Sequence, residues 1–327
     1  MTQQLLILFH PDVYICLLFL AVAIVTVVAW RMMRAARQRW VRPTVITLLA
    51  SLWLLAFYGT FLGVTGVRVR HVTFFSDDLP PAFDGYRIVQ FSDAHVGSFN
   101  GWRKQILQEA VDSITAQQAD MIVFTGDLQN TCPADIDPHR RLLATLKAPD
   151  GVFSVLGNHD YAMYVDQDLE QQYRQVTQTC NEEGDLGWTL LNNDHRIIRR
   201  GADSLVIAGM ENDGENRFPQ YGRINSALYG LRRQSFVVML EHDPTAWRRK
   251  ILPHSHCQLT LSGHTHGGQI SLLGLSPAAL TYHEYSGLYY VGNRAINVSS
   301  GIGGVIPFRI GTPPEIVVVT LARGKKL

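Results

Sequence analysis

The stretch Ile88-Val89-Gln90-Phe91-Ser92-Asp93-Ala94-His95 sets the pattern of this chain: an apolar run that reads as a buried strand, followed at once by metal-binding groups. The pattern repeats. Ile122-Val123-Phe124-Thr125 leads into Gly126-Asp127, and Phe153-Ser154-Val155-Leu156 into Gly157-Asn158-His159-Asp160. Val237-Val238-Met239-Leu240 precedes Glu241-His242-Asp243-Pro244, and Leu259-Thr260-Leu261 precedes Gly263-His264-Thr265-His266. Each motif alone arises by chance in many proteins; the whole ordered set does not. Ligands of open α/β sheets bind beyond the carboxyl ends of strands. Five strands are therefore expected to deliver Asp93, His95, Asp127, Asn158, His242, His264 and His266 to one rim.

Around these motifs the chain alternates between two periods. Val67 to Phe75 alternates as a half-buried strand does, and further apolar runs at 205–209, 288–291 and 316–321 read as buried strands. Trp102, Ile106, Ala110, Val111 and Ile114 recur at helical spacing, with more helix expected at 139–147 and 167–183. Strands alternating with helices predict an α/β sandwich. The insertion at 210–235, with Arg217, Phe218, Tyr221 and Arg223, reads either as a cap over the site or as a solvent-facing loop and helix.

The first 65 residues differ in kind. Residues 13–30 and 44–64 carry no charged side chain; as helices they reach about 27 and 31 Å, the thickness of a bilayer core. They are expected to be two transmembrane helices forming a membrane anchor over 1–65, with a catalytic domain over 66–327. Arg31, Arg34, Arg37, Arg39 and Arg42 lie between them with no acid. The positive-inside rule then puts that linker in the cytoplasm and the catalytic domain outside it, in a two-pass cell (inner) membrane protein. The rest of the chain is slightly acidic, because five of the 29 Lys and Arg but only one of the 28 Asp and Glu precede residue 66. It has no basic stripe, so nucleic acid is not an expected partner. Cys16, Cys132, Cys180 and Cys257 show no C-x-x-C spacing and read as simple thiols.

The donor pool is four imidazoles, two carboxylates and one amide oxygen. Such a set suits manganese, iron or zinc over copper(I) or an iron–sulfur cluster. Seven side chains serve two divalent ions only if one Asp lies between them. Ions about 3.5–4 Å apart bind both sides of a phosphoryl group and lower the pKa of bound water towards about 7. His159 leaves its loop in a different direction from Asn158, so it is expected to face substrate and protonate a leaving alkoxide, with Asp160 orienting it. His254-Ser255-His256 precedes its strand instead of following it, and reads as a solvated loop.

Asp93-x-His95, Gly126-Asp127, Gly157-Asn158-His159-Asp160, His242 and Gly263-His264-x-His266 resemble the signature of the calcineurin-like metallophosphoesterase superfamily. The resemblance spans 66–321. Phe83-Asp84-Gly85, Gly267-Gly268-Gln269, Gly301-Ile302-Gly303 and Pro307-Phe308-Arg309 look like its bacterial membrane-associated branch, some members of which cleave the pyrophosphate of a lipid-linked sugar nucleotide. The implied fold is a four-layer α/β/β/α sandwich. Asp93, His95 and His266 would hold one metal, Asn158, His242 and His264 the other, with Asp127 bridging and His159 as acid or transition-state stabiliser. Two positions depart from the pattern: Glu241 beside His242 adds a carboxylate, and Ser299-Ser300 stands where relatives place Arg. The expected function is hydrolysis of a phosphoester or pyrophosphate, of a small molecule or a lipid-linked substrate, by a metal-bridging hydroxide. The alternatives are a cytoplasm-facing UDP-sugar-lipid pyrophosphatase of lipid A type, or a non-catalytic metal-binding protein of the same fold.

Overall fold

A computed structural model of the chain describes residues 10–35, 40–165 and 167–325; Arg37 and Arg39 of the linker lie outside that range. Its strands are β1 (Arg68–Ser76), β2 (Arg87–Phe91), β3 (Met121–Phe124), β4 (Val152–Ser154), β5 (Thr189–Leu190), β6 (Asp194–Arg200), β7 (Asp203–Gly209), β8 (Phe236–Leu240), β9 (Leu259–Ser262), β10 (Gly287–Val291), β11 (Arg294–Val298) and β12 (Glu315–Arg323). They form two six-stranded sheets, ordered β1-β12-β2-β3-β4-β5 and β10-β11-β9-β8-β7-β6. The run from β2 to β5 is parallel, as is the run β7-β8-β9-β11.

Strand periodicity builds the layers. Ile88, Val123, Val317 and Val319 face the other sheet and meet Ile207, Val238, Leu240 and Leu261 in the central core. Their neighbours Val89, Phe91, Phe124 and Val318 face outward and pack under Ile106, Leu107 and Ala110 of the helix Lys104–Ala116. On the far side Val206, Val237, Met239 and Ile296 are covered by Trp247 and Ile251. Helical cover, sheet, sheet and helical cover make the four-layer sandwich. Glu315 joins the first sheet's edge to this frame by accepting from Arg68 and Arg70 at 2.8 and 3.0 Å.

Four elements differ from the sequence expectation, the two-residue β5 being one that no apolar run announced. The helix expected at 139–147 is a single turn, Arg140–Leu143, after which the Thr145 and Leu146 amides reach back only three residues, to Leu142 and Leu143. β6 carries Asp194, His195, Arg196, Arg199 and Arg200; a charged edge strand lacks the apolar signature of a buried one. β11 forms a tight antiparallel hairpin with β10.

Helices Pro11–Ala35 and Val41–Phe57 precede the sandwich, the second continuing as a wider turn through Tyr58–Leu62. Over Pro11–Arg34 and Val41–Leu62 both are long and apolar enough to cross a bilayer. Leu17, Leu20, Ile24, Ile46, Leu48 and Leu54 are exposed, an apolar surface with no protein core to enter. The helices pack on each other through Phe19 and Trp53, ring centroids 5.8 Å apart, and Trp53 Nε1 donates to Thr26 at 3.0 Å. Both ends that face the sandwich touch it. Arg103 pairs with Asp12 at 2.7 Å, Phe61 stacks on Trp102 at 6.1 Å, and the Arg309 amide donates to Gly59 at 2.9 Å.

Gly63 is the tightest of these contacts, since a Cβ there would lie 1.7 Å from the Arg309 carbonyl oxygen. Gly63→Ala should cost about 1–3 kcal/mol by overpacking, read as a melting temperature lowered by several degrees in detergent. Gly184→Ala, in a helix with open space around the new Cβ, should leave melting unchanged or raise it slightly.

Candidate metal centre

Five loops converge past the carboxyl ends of β2, β3, β4, β8 and β9, and all seven expected donors meet there. Ligand atoms of Asp93, His95 and His266 lie within 4.8 Å of one another, as do those of His95, Asp127 and His159, and those of Asp127, His242 and His264. Asp127 Oδ2 sits between the two ends of the cluster, 3.5 Å from His95 Nε2 and 3.3 Å from His242 Nε2. Asn158 joins through its amide oxygen, 2.8 Å from His264 Nδ1 and 3.2 Å from His242 Nε2. The other histidines, including His254 and His256, belong to none of these groups.

The convergence requires unusual backbone. Asp93, His95, Asp127, His264 and His266 all have left-handed φ, between 44° and 71°, a conformation costing of order 1–3 kcal/mol per residue that persists only where the surroundings impose it. Two glycines let loops press together. A Cβ on Gly157 would lie 2.2 Å from Asp127 Oδ1, and one on Gly263 would lie 2.3 Å from Asp93 Oδ2.

Asp160 corrects an expectation: it does not orient His159. Its carboxylate accepts from the backbone amides of Asp127, Leu128, Gln129 and Gly157 at 2.8–3.2 Å, locking the loop after β3 to the loop after β4. His159 is held instead by the Asn130 carbonyl, 2.6 Å from its Nδ1, and by Tyr164, whose ring stacks at 4.3 Å.

The structure adds further positioning groups. Tyr164 OH accepts from Asn158 Nδ2 at 2.7 Å, which turns the amide oxygen towards the histidines. His242 Nδ1 donates to the Thr125 carbonyl at 2.7 Å, leaving Nε2 for the centre. Behind His264, Nε2 meets Tyr282 OH at 3.0 Å and Asp243 Oδ2 at 3.5 Å. Asp243 stood in a quoted motif without a role; Asn130, Tyr164 and Tyr282 had no local signal. Glu241 is buried and accepts from the Asp213 amide at 2.8 Å instead of engaging His242. Arg309 lies beneath the Ser299-Ser300 loop and donates to the carbonyls of Ser300, Gly301, Gly303 and Thr312, so it braces the loop and does not replace the missing Arg. Of the 210–235 insertion, Phe218 covers His264 edge-on at 4.7 Å while Tyr229 is exposed.

Burial pushes His95 down to about 3 and holds His264 and His266 below the usual imidazole range. Neutral imidazoles are what metal ligation requires. Burial also opposes charge on Asp127 and His242, but their mutual attraction wins: the carboxyl is held well below the usual range and the imidazole rises to about 10, so ligation through His242 would have to displace that proton. Burial lifts Asp93 to about 7. Both ring nitrogens of His95 and Nδ1 of His266 are buried without a hydrogen-bond partner, a cost nature seldom leaves unmet. Together with the all-nitrogen-and-oxygen donor set, this fits a pair of divalent metal ions.

The family model for calcineurin-like phosphoesterases matches residues 86–268, the span of all five motifs. The chain belongs to that family. Membership makes it a metal-dependent phosphoester hydrolase. It is 31% identical to an uncharacterized metallophosphoesterase, YkuE, of Bacillus subtilis, over 81% of this chain and 88% of that one. It is 29% identical to a transmembrane protein with metallophosphoesterase domain from Danio rerio, over 86% of this chain and 63% of that one. It is 27% identical to the UDP-2,3-diacylglucosamine pyrophosphatase LpxG of Chlamydia trachomatis, over 85% and 96% respectively.

The Asp243–His264 contact generates a prediction. Partners behind metal-binding histidines are worth about 10–100-fold in metal affinity. Asp243→Asn should therefore weaken Mn²⁺ binding by that factor in calorimetry; unchanged affinity would mean the contact does not orient His264.

Proposed function

We propose that the protein is a membrane-anchored phosphoesterase with a dinuclear centre, manganese foremost and iron or zinc next, acting on a phosphoester or pyrophosphate of a lipid-linked substrate. The anchor is 1–65 and the catalytic domain 66–327. Asp93, His95 and His266 would hold one ion, Asn158, His242 and His264 the other, and Asp127 both. The observation that carries this reading is Asp127 Oδ2 midway between His95 and His242, inside a cluster whose buried imidazole nitrogens lack other partners. When bound, the ions supply Lewis acidity towards phosphoryl oxygen and a hydroxide nucleophile at neutral pH.

The chain's own groups supply the rest. The Asn130 carbonyl can only accept, so His159 carries a proton on Nδ1. Its Nε2, with no hydrogen-bond partner among the described residues, is left to face substrate. In the imidazolium form it gives a proton to the leaving alkoxide or bonds a phosphoryl oxygen. Asp160 acts only through the loops it ties. The two apolar helices support a lipid-linked substrate, since their ends pack on Trp102 and Arg309 close behind the site.

The LpxG relative favours a second reading, a pyrophosphatase acting on a nucleotide-linked diacylated sugar, which we pair with a catalytic domain facing the cytoplasm. A reporter fused to the C-terminus separates the two. Activity only in an extracytoplasmic compartment supports the outward placement drawn from the linker arginines, and activity only in the cytoplasm supports the second reading.

Purified protein with Mn²⁺ should hydrolyse bis-p-nitrophenyl phosphate, and Asp127→Ala should abolish this while circular dichroism stays unchanged. His159→Gln should lower kcat about 10²–10⁴-fold with metal content retained. An equal rate in Asp127→Ala would defeat the hydrolytic assignment of this centre.

A further inference from the structure

The loop after His266 is the most apolar exposed surface of the sandwich. Leu273 and Leu280 are 103% and 91% exposed, and Leu272 and Leu275 are largely exposed too. No charged residue occurs from Gly267 to Tyr282. Leu273 also has a left-handed φ of 53°. A leucine held in a strained conformation and fully in water gains nothing locally, which marks a contact surface.

The loop's roots say what covers it. Ser271 donates to Ile310 at 2.7 Å, and Ile270 bridges Ile310 and Gly311. The next residue back, Arg309, is the one that bonds Gly59 at the end of the second apolar helix. The leucine turn therefore grows from the strip that seats the helix pair. At its other end Tyr282 touches His264. The turn is thus tied on one side to the strip that seats the helices and on the other to the rim of the metal centre.

We infer that the turn Leu272–Leu275, with Leu280, dips into the bilayer surface beside the helices and holds the mouth of the site against the membrane. Lipid-linked phosphates then enter from the side without leaving the bilayer. The inference rests on the membrane-anchored reading above and names its access route. The bilayer is the occupant because the turn is uncharged and the strip at its root is hydrogen-bonded to the end of a helix that suits a bilayer.

The test uses the full-length chain in vesicles with brominated acyl chains. Leu273→Trp should add tryptophan emission that the bromines quench, compared with wild type. Leu273→Glu/Leu280→Glu should lower turnover of a vesicle-borne lipid phosphate by about tenfold or more, because burying each leucine shifts the docking equilibrium by at least that factor. Hydrolysis of soluble bis-p-nitrophenyl phosphate should not change. Unquenched added emission overturns the inference while leaving the hydrolase intact. Emission that shifts only with protein concentration assigns the turn to a second copy and also overturns it. Quenching without turnover of any lipid phosphate supports the docking surface and removes the lipid-substrate reading.

Discussion

The donors come from two different sheets, so the centre exists only while those sheets are held together at their carboxyl ends. Gln90 does this from inside the core. Its amide donates to the Ser262 carbonyl at 2.9 Å and its oxygen accepts from Asn297 at 2.7 Å, both across the sheet–sheet interface. Gln90 is fully buried beside apolar neighbours, where an unpaired amide is costly. The pairing is satisfied only when β2 lies opposite β9 and β11 in this register. That register sets Asp93 against Gly263 and, through it, the histidines of the second sheet.

Outward from this clamp the structure is a chain of backbone ties. Ile302 and Gly303 donate to Ser92 and Asp93 at 3.0 and 2.9 Å, Arg309 braces the same glycine loop from below, and Asp160 ties the loops carrying Asp127 and Asn158. These polar contacts are buried and fully paired, the condition under which a polar network specifies one arrangement. They also offset the left-handed backbone at five of the seven donors.

The convergence of the seven expected donors was legible because each stands within a few residues of a strand, where period and residue type are both local signals. The apolar helices were legible for the same reason. Asp160 was misread because adjacency to His159 suggested a side-chain pair, whereas its partners are backbone amides, that of Gly157 and three of the loop after β3. Asn130 acts through a carbonyl, and Tyr164 and Tyr282 through ring and hydroxyl contacts made only after folding. No spacing rule announces such groups. β6 escaped because edge strands are charged, and the 139–147 helix shrank to one turn where the backbone tightens to three-residue hydrogen bonds.

The seat of Gly59 and Gly63 on Phe308 and Arg309 has a practical meaning for anyone handling this molecule. A fragment trimmed to begin at the first strand would bare the Phe308 ring and leave the Arg309 amide without its acceptor, directly under the loop that braces Asp93. Such a fragment is a different object from the native catalyst, with a loosened floor. The helix pair is a wall of the building as well as its proposed mooring.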